Sequence, residues 1–228
     1  MNKKIMLVFL IVGLILTICG SYKASAATNE EDYMRTGRNY MAHEEFEKAI
    51  KEFKEATNIN PKSEDAFYCL GSAYFELAYK EADFSGRAGD YFKYSIDCFK
   101  KAVDLNPRYA EAYNYLGRAY GGLGKFDEAL PCFEKALKID PEFVVACNNI
   151  GWAYNGLHQP EKAIPYLEKV LQMEPDSYRS YFNLGKTYYF KGDTQKAKEY
   201  LMKAKELMGD EGNDWERKEL EQYIKKMH

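Results

Sequence analysis

A 34-residue period runs through the chain: Gly117, Gly151 and Gly185 recur at that interval, and so do Pro107, Pro141 and Pro175. Small residues and prolines held at fixed offsets over such a period require a repeated supersecondary unit, one that buries its apolar face only by stacking on its neighbours. In the cleanest copy Tyr113, Leu116, Gly117 and Tyr120 fall on one helical stripe. Gly121-Gly122-Leu123-Gly124 interrupts that helix. A second helix begins near Phe126 and turns Ala129, Phe133 and Ala136 inward. Asp140-Pro141 ends it, because proline lacks an N–H and disfavours helix in the residue before it. Glycine and alanine at the crossing let two backbones approach, and the aromatics fill the space on either side.

Four further copies share this spelling. The first has Tyr33, Thr36, Gly37 and Tyr40, then Ala49, Phe53, Ala56 and Pro61. The second has Phe67, Leu70, Gly71 and Tyr74, then Ser95, Phe99, Ala102 and Pro107. The fourth has Cys147, Ile150, Gly151 and Tyr154, then Ala163, Leu167, Val170 and Pro175. The fifth has Tyr181, Leu184, Gly185 and Tyr188, then Ala197, Leu201 and Ala204, with Gly209 in the place of proline. These copies resemble tetratricopeptide repeats over about residues 30–209. The resemblance implies an all-α, right-handed superhelical solenoid of five helix-turn-helix repeats, at about 30–63, 64–109, 110–143, 144–177 and 178–211. The second copy carries 12 extra residues near Ala78–Gly89, where Asp83 to Gly89 reads as a surface loop. Pro131 and Pro165 are expected close to the first turn of their helices, where a missing N–H costs least. The last segment, 212–228, reads as a capping helix with Asn213 and Asp214 at its start and Leu220, Tyr223, Ile224 and Met227 on one side.

Residues 1–26 read as a secretory signal: a basic Lys3-Lys4 head, an apolar run from Ile5 to Gly20, and a small-x-small ending at Ala24-Ser25-Ala26. Cleavage after Ala26 is the favoured reading; an uncleaved N-terminal anchor is an alternative. A third is a lipid on Cys19, since Leu16-Thr17-Ile18-Cys19 resembles a lipobox but has Ile18 where a small residue belongs. All three place the 202 remaining residues outside the cytoplasm. Losing Lys3, Lys4 and Lys23 with no acid moves the net charge from −3 to −6. That balance argues against nucleic acid and against an anionic membrane surface, leaving the N-terminal anchor or lipid as the route to a membrane.

Catalytic chemistry finds no constellation. His43 and His158 fall in inter-helix turns and His228 at the end, without metal-ligand spacing. The glycine-rich turn at 121–124 lacks the Lys-Ser/Thr of a phosphate loop. Cys69, Cys98, Cys132 and Cys147 allow disulfides in an oxidising compartment, but none makes a C-x-x-C pair, and the core-residue reading is preferred. No enzyme, metal or cofactor is expected.

Binding is the expected function, through the concave face that the resemblance assigns to one stripe of each first helix. That stripe holds Met34, Arg38 and Met41; Tyr68, Ser72 and Phe75; Asn114, Arg118 and Gly121; Asn148, Trp152 and Asn155; and Phe182, Lys186 and Tyr189. None of these 15 positions is acidic, whereas 35 acids in 202 residues would place about 2.6 there. With Asn149, Arg179 and Asn183 alongside, rings, amides and cations form a surface suited to a protein or peptide partner. The competing reading is that the rings are half-buried between helices. Some family members grip a C-terminal carboxylate with Lys, Asn, Asn, Lys and Arg. The corresponding places here hold Asn114, Arg118, Asn149, Arg179 and Asn183, so only Asn149 matches outright and Arg179 in charge. That grip is therefore not expected, although an acidic or extended peptide is. The alternative function is a structural subunit of a membrane-associated assembly, docking by its convex face, its insertion or its cap.

Overall fold

The computed structural model describes residues 29–81, 86–209 and 214–227. The expected signal, Cys19, Asn213, His228 and part of the insertion lie outside the described residues. Among the described residues there are eleven α-helices and no strand. They divide at Pro61/Lys62 into two units.

The first unit is one hairpin, α1 (Glu30–Ala42) and α2 (Phe46–Ile59). Asn29 caps α1 by accepting the Asp32 N–H at 2.9 Å. Gly37 faces the fully buried Phe53, and a Cβ at Gly37 would stand 2.5 Å from that ring. The absent side chain is what lets the ring lie against the opposite backbone. Asn60 closes the open end of the hairpin by donating to Glu30 Oε2 at 2.6 Å.

The second unit holds four hairpins and a last helix. They are α3 (Glu64–Lys80) with α4 (Ala88–Leu105), α5 (Ala110–Gly122) with α6 (Phe126–Ile139), α7 (Val144–Gly156) with α8 (Pro160–Met173), α9 (Tyr178–Lys191) with α10 (Thr194–Met208), and α11 (Asp214–Lys226). The glycine device repeats within each pair: Gly71 against Phe99, Gly117 against Phe133, Gly151 against Leu167 and Gly185 against Leu201. Each of those partners is at most 1% exposed, and burying one contributes about 1.5–3 kcal/mol. Tyrosines join the pairs. Tyr120 packs against the interiors of both the α3–α5 region and the α6–α7 region, and Tyr154 against both the α6–α7 and the α8–α10 interiors. The interior of this unit is thus passed from hairpin to hairpin.

The insertion is not simply a loop. Compared with the α5–α6 pair, α3 continues one turn further past its glycine and α4 begins one turn earlier before its phenylalanine. Four extra residues in the connection complete the 12, and Ala88 and Gly89 are helical. Apolar spacing explains the extension, because Ala78 and Phe92 are buried in one core cluster shared by α3 and α4, and Leu77 is buried beside Ala78 in the same added turn. Phe92 then supports the end of α5, lying where a Cβ on Gly122 would stand 2.6 Å away.

The placement of two prolines changes in detail. Pro131 and Pro165 are each the sixth residue of their helices, beyond the first turn, and both are exposed. Each removes the bond to the carbonyl four residues back. Cys69, Cys98, Cys132 and Cys147 form no disulfide among the described residues; Cys147 is fully buried, and burial pushes the Cys132 thiol up to about 11. Among the described residues no helix is long and apolar enough to cross a membrane.

Candidate binding pocket

The first helices of the last two hairpins present most of the amides singled out from the sequence, and the structure pairs several with each other. Asn149 donates to Asn114 Oδ1 at 2.7 Å, and Asn183 donates to Asn148 Oδ1 at 2.9 Å. Both pairs are 35 residues apart, so each ties one repeat to the next. Asn114 is only 2% exposed, and its amide serves the joint. A third tie is a relay: Asn155 Nδ2 donates to Thr187 Oγ1 at 2.8 Å, and Thr187 donates to the Asn183 carbonyl at 2.8 Å. The Thr187 hydroxyl proton is committed to that carbonyl, so its oxygen must accept from Asn155. This fixes the orientation of the Asn155 amide and leaves its Oδ1 buried without a donor.

Around these amides lies a pocket of about 450 Å³ between α7, α9 and α11. Asn148, Asn149, Trp152, Asn155, Asn183 and Lys186 line it together with Gly156, His158, Leu167, Phe190 and Tyr223. Trp152 reaches it because Gly121 has no side chain: a Cβ there would collide with the indole. Phe126 braces the indole edge-on, with ring centres 5.1 Å apart. The indole is held yet remains 39% exposed, and Phe190 is 48% exposed. Aromatic anchors held open to solvent beside amides are the ingredients of a binding surface.

The positive charges expected there are already engaged. Lys186 Nζ pairs with Glu219 Oε1 at 2.6 Å and sits over the Phe182 and Tyr223 rings at 5.0 and 5.5 Å. Arg179 pairs with Glu216 Oε1 at 3.0 Å, and the Tyr178 hydroxyl donates to Glu216 Oε2 at 3.0 Å. Both carboxylates come from α11, so the last helix neutralises the cations of the fifth repeat. Phe182 is buried, its ring 6.3 Å from Tyr223, and Tyr189 packs on Tyr223 at 5.2 Å. Those two rings serve the cap.

The residues named on α3 and α5 form a separate cluster. Phe75 is fully buried, and Tyr68 lies among Tyr109, Tyr115 and Phe99 with ring centres 4.9–5.8 Å away. Burial raises the Tyr68 phenol above its ordinary range. Arg118 lies over the Phe75 ring at 4.6 Å and the Tyr115 ring at 4.8 Å, and among the described residues no ion pair reaches it. Nearby Glu76 has its carboxyl raised by burial, with Arg118 acting in the opposite direction.

Of the residues named from the sequence, the pocket thus gathers Asn148, Asn149, Trp152, Asn155, Asn183 and Lys186. Tyr68, Phe75, Asn114, Phe182 and Tyr189 serve packing, and Arg118 and Arg179 lie outside the pocket. Phe190, His158 and Tyr223 also line it but were not named as binding residues. Phe190 sits one residue past the stripe, and Tyr223 belongs to a helix without repeat register. Nothing here pairs a nucleophile with a base, and among the described residues no three His, Cys, Asp or Glu side chains converge as metal ligands.

Family models for the tetratricopeptide repeat match residues 110–143 and 154–216, and a TPR repeat model matches 37–77 and 92–124. No curated protein matches the chain. Among solved structures it is similar to MamA at 25% identity, covering 79% of this chain and 92% of that chain with a TM-score of 0.66. A thermophilic TPR protein of Thermus thermophilus aligns at 22% identity over 86% of this chain and 98% of its own, with a TM-score of 0.65. The first TPR of Spaghetti, bound to an HSP90 peptide, aligns at 23% identity over 57% of this chain and 94% of its own, with a TM-score of 0.51. Repeat spacing, glycine packing and these matches agree: the chain belongs to the tetratricopeptide repeat family.

Proposed function

We propose that the chain is an exported, non-enzymatic scaffold that captures a protein or peptide partner through the pocket between α7, α9 and α11 and, in the separate α3–α5 cluster, Arg118. One observation carries the reading: Trp152 is braced on Gly121 and Phe126 yet open at the mouth of a pocket that holds an unsatisfied amide oxygen. The tetratricopeptide fold is an interaction scaffold, and a structural neighbour holds a peptide. The basic head, apolar run and Ala24-Ser25-Ala26 ending support export, and the acidic balance disfavours nucleic acid. Affinity capture from an envelope extract tests the reading. Trp152→Ala with Arg118→Ala is expected to lose the partner while keeping the helical signal of the unaltered chain, and undiminished capture would overturn it.

A second reading has one observation of its own. A depression on the second-helix side, lined by Leu171, Tyr181, Tyr200 and the 49%-exposed Met202, offers a convex docking surface for a membrane-associated assembly. That reading expects Met202→Glu, and not Trp152→Ala, to abolish assembly.

A further inference from the structure

Resting on the reading of this pocket as a partner site, we infer that its occupant is an uncharged, extended peptide segment. Such a segment inserts one bulky apolar side chain among Trp152, Phe190 and Tyr223 and gives a backbone N–H to Asn155 Oδ1. Charge accounting comes first. The one cation lining the pocket, Lys186, is held by Glu219 at 2.6 Å. An incoming carboxylate would have to displace one that the chain supplies to itself, so it gains little. A cationic side chain fares no better, because the Lys186 ammonium already occupies the Tyr223 face at 5.5 Å.

Hydrogen bonding then selects the backbone. The Asn155 to Thr187 to Asn183 relay leaves Asn155 Oδ1 buried with no donor, a state that a ligand N–H relieves. Asn148 spends its oxygen on Asn183 and keeps its N–H groups for a ligand carbonyl. A donor and an acceptor from side chains on one helix match the alternating groups of an extended peptide. The exposed rings of Trp152 and Phe190 supply the apolar contact, and a volume of about 450 Å³ lies in the range of ligand pockets.

A random dodecapeptide phage library selected on the full chain tests this. Recovered peptides are synthesised with both ends blocked and titrated by calorimetry at low and high salt. Enriched sequences are expected to centre on Trp, Phe, Leu or Met without excess acid. Their affinity should be insensitive to salt and fall by about tenfold or more in Trp152→Ala, and likewise in Asn155→Ala, where the ring is untouched. Glu219→Gln, which frees Lys186, should shift enrichment towards acidic peptides. Acidic or salt-sensitive binders that still need Trp152 would overturn this inference and leave the groove reading standing. Binders indifferent to both Trp152 and Asn155, or no binders at all, would overturn both. A dimer that Trp152→Ala dissolves in sedimentation would replace the peptide by a second copy of the chain.

Discussion

Gly117→Ala adds one methyl group at the point where α5 crosses α6. Its carbon would stand 2.5, 2.8 and 2.8 Å from Cε1, Cδ1 and Cζ of Phe133. Carbon atoms rest at about 3.5–4.0 Å, so the ring must retreat by about 1 Å. Phe133 is fully buried and has no open side. Overfilling such a site costs about 1–3 kcal/mol, and the helix advantage of alanine over glycine, about 1 kcal/mol, offsets only part of it. The expected net loss is up to about 2 kcal/mol, read as a fall in Tm of about 2–4 °C per kcal/mol in a chain of this size. Gly89→Ala is the control. There the nearest atom is Leu123 Cδ2 at 3.9 Å, an ordinary contact, so the same substitution should stabilise by up to about 1 kcal/mol. Thermal melts followed by circular dichroism decide the matter. If Gly117→Ala melts at or above the unaltered chain, the close-packed crossing is not what holds the hairpin.

Three further outcomes follow from particular residues. His158 holds φ at 56° in the turn position where Gly124 and Gly192 have 73° and 84°; His158→Gly should raise stability by about 0.5–1 kcal/mol in denaturant unfolding, the relief of left-handed strain less the entropy of glycine. Burial raises the Glu76 carboxyl, so its charged form opposes folding and the folded state binds the proton more readily. The unaltered chain should therefore gain stability relative to Glu76→Gln as pH falls from neutral through the carboxylate range, and a gain with rising pH would contradict the burial. Leu220 is 1% exposed and anchors α11; Leu220→Ala should cost about 2–5 kcal/mol locally. Because repeats couple mainly to their neighbours, amide exchange should quicken in α11 and α9 and stay unchanged in α5.

The periodic part of the molecule was legible because its cause is local and repeated. Gly117 and Phe133 stand at the same offset as Gly151 and Leu167, and one contact explains both. The extra turns of α3 and α4 were also written in the chain, since Tyr74, Leu77 and Ala78, and then Phe92, Ile96 and Phe99, continue a helical stripe into the insertion. Reading Asp83 to Gly89 as loop missed only that Ala88 and Gly89 open α4; Gly86 and Arg87 are non-helical. The binding pocket was half legible. Trp152 and Asn155 lie on the repeat's own register, whereas Tyr223 and Glu219 lie on α11, whose docking no repeat predicts. Hence Lys186 and Phe182, open by register, are engaged by the cap. The Asn114–Asn149 and Asn148–Asn183 pairs show a one-residue offset from the period, which a search at 34 residues passes over.

A photo-crosslinking residue placed at position 152, compared with one at Met202 on the opposite helices, tests the functional account most directly. Crosslinks to the partner from 152 and none from 202 are the predicted result. Crosslinks from 202 alone would put the partner on the convex side and contradict it.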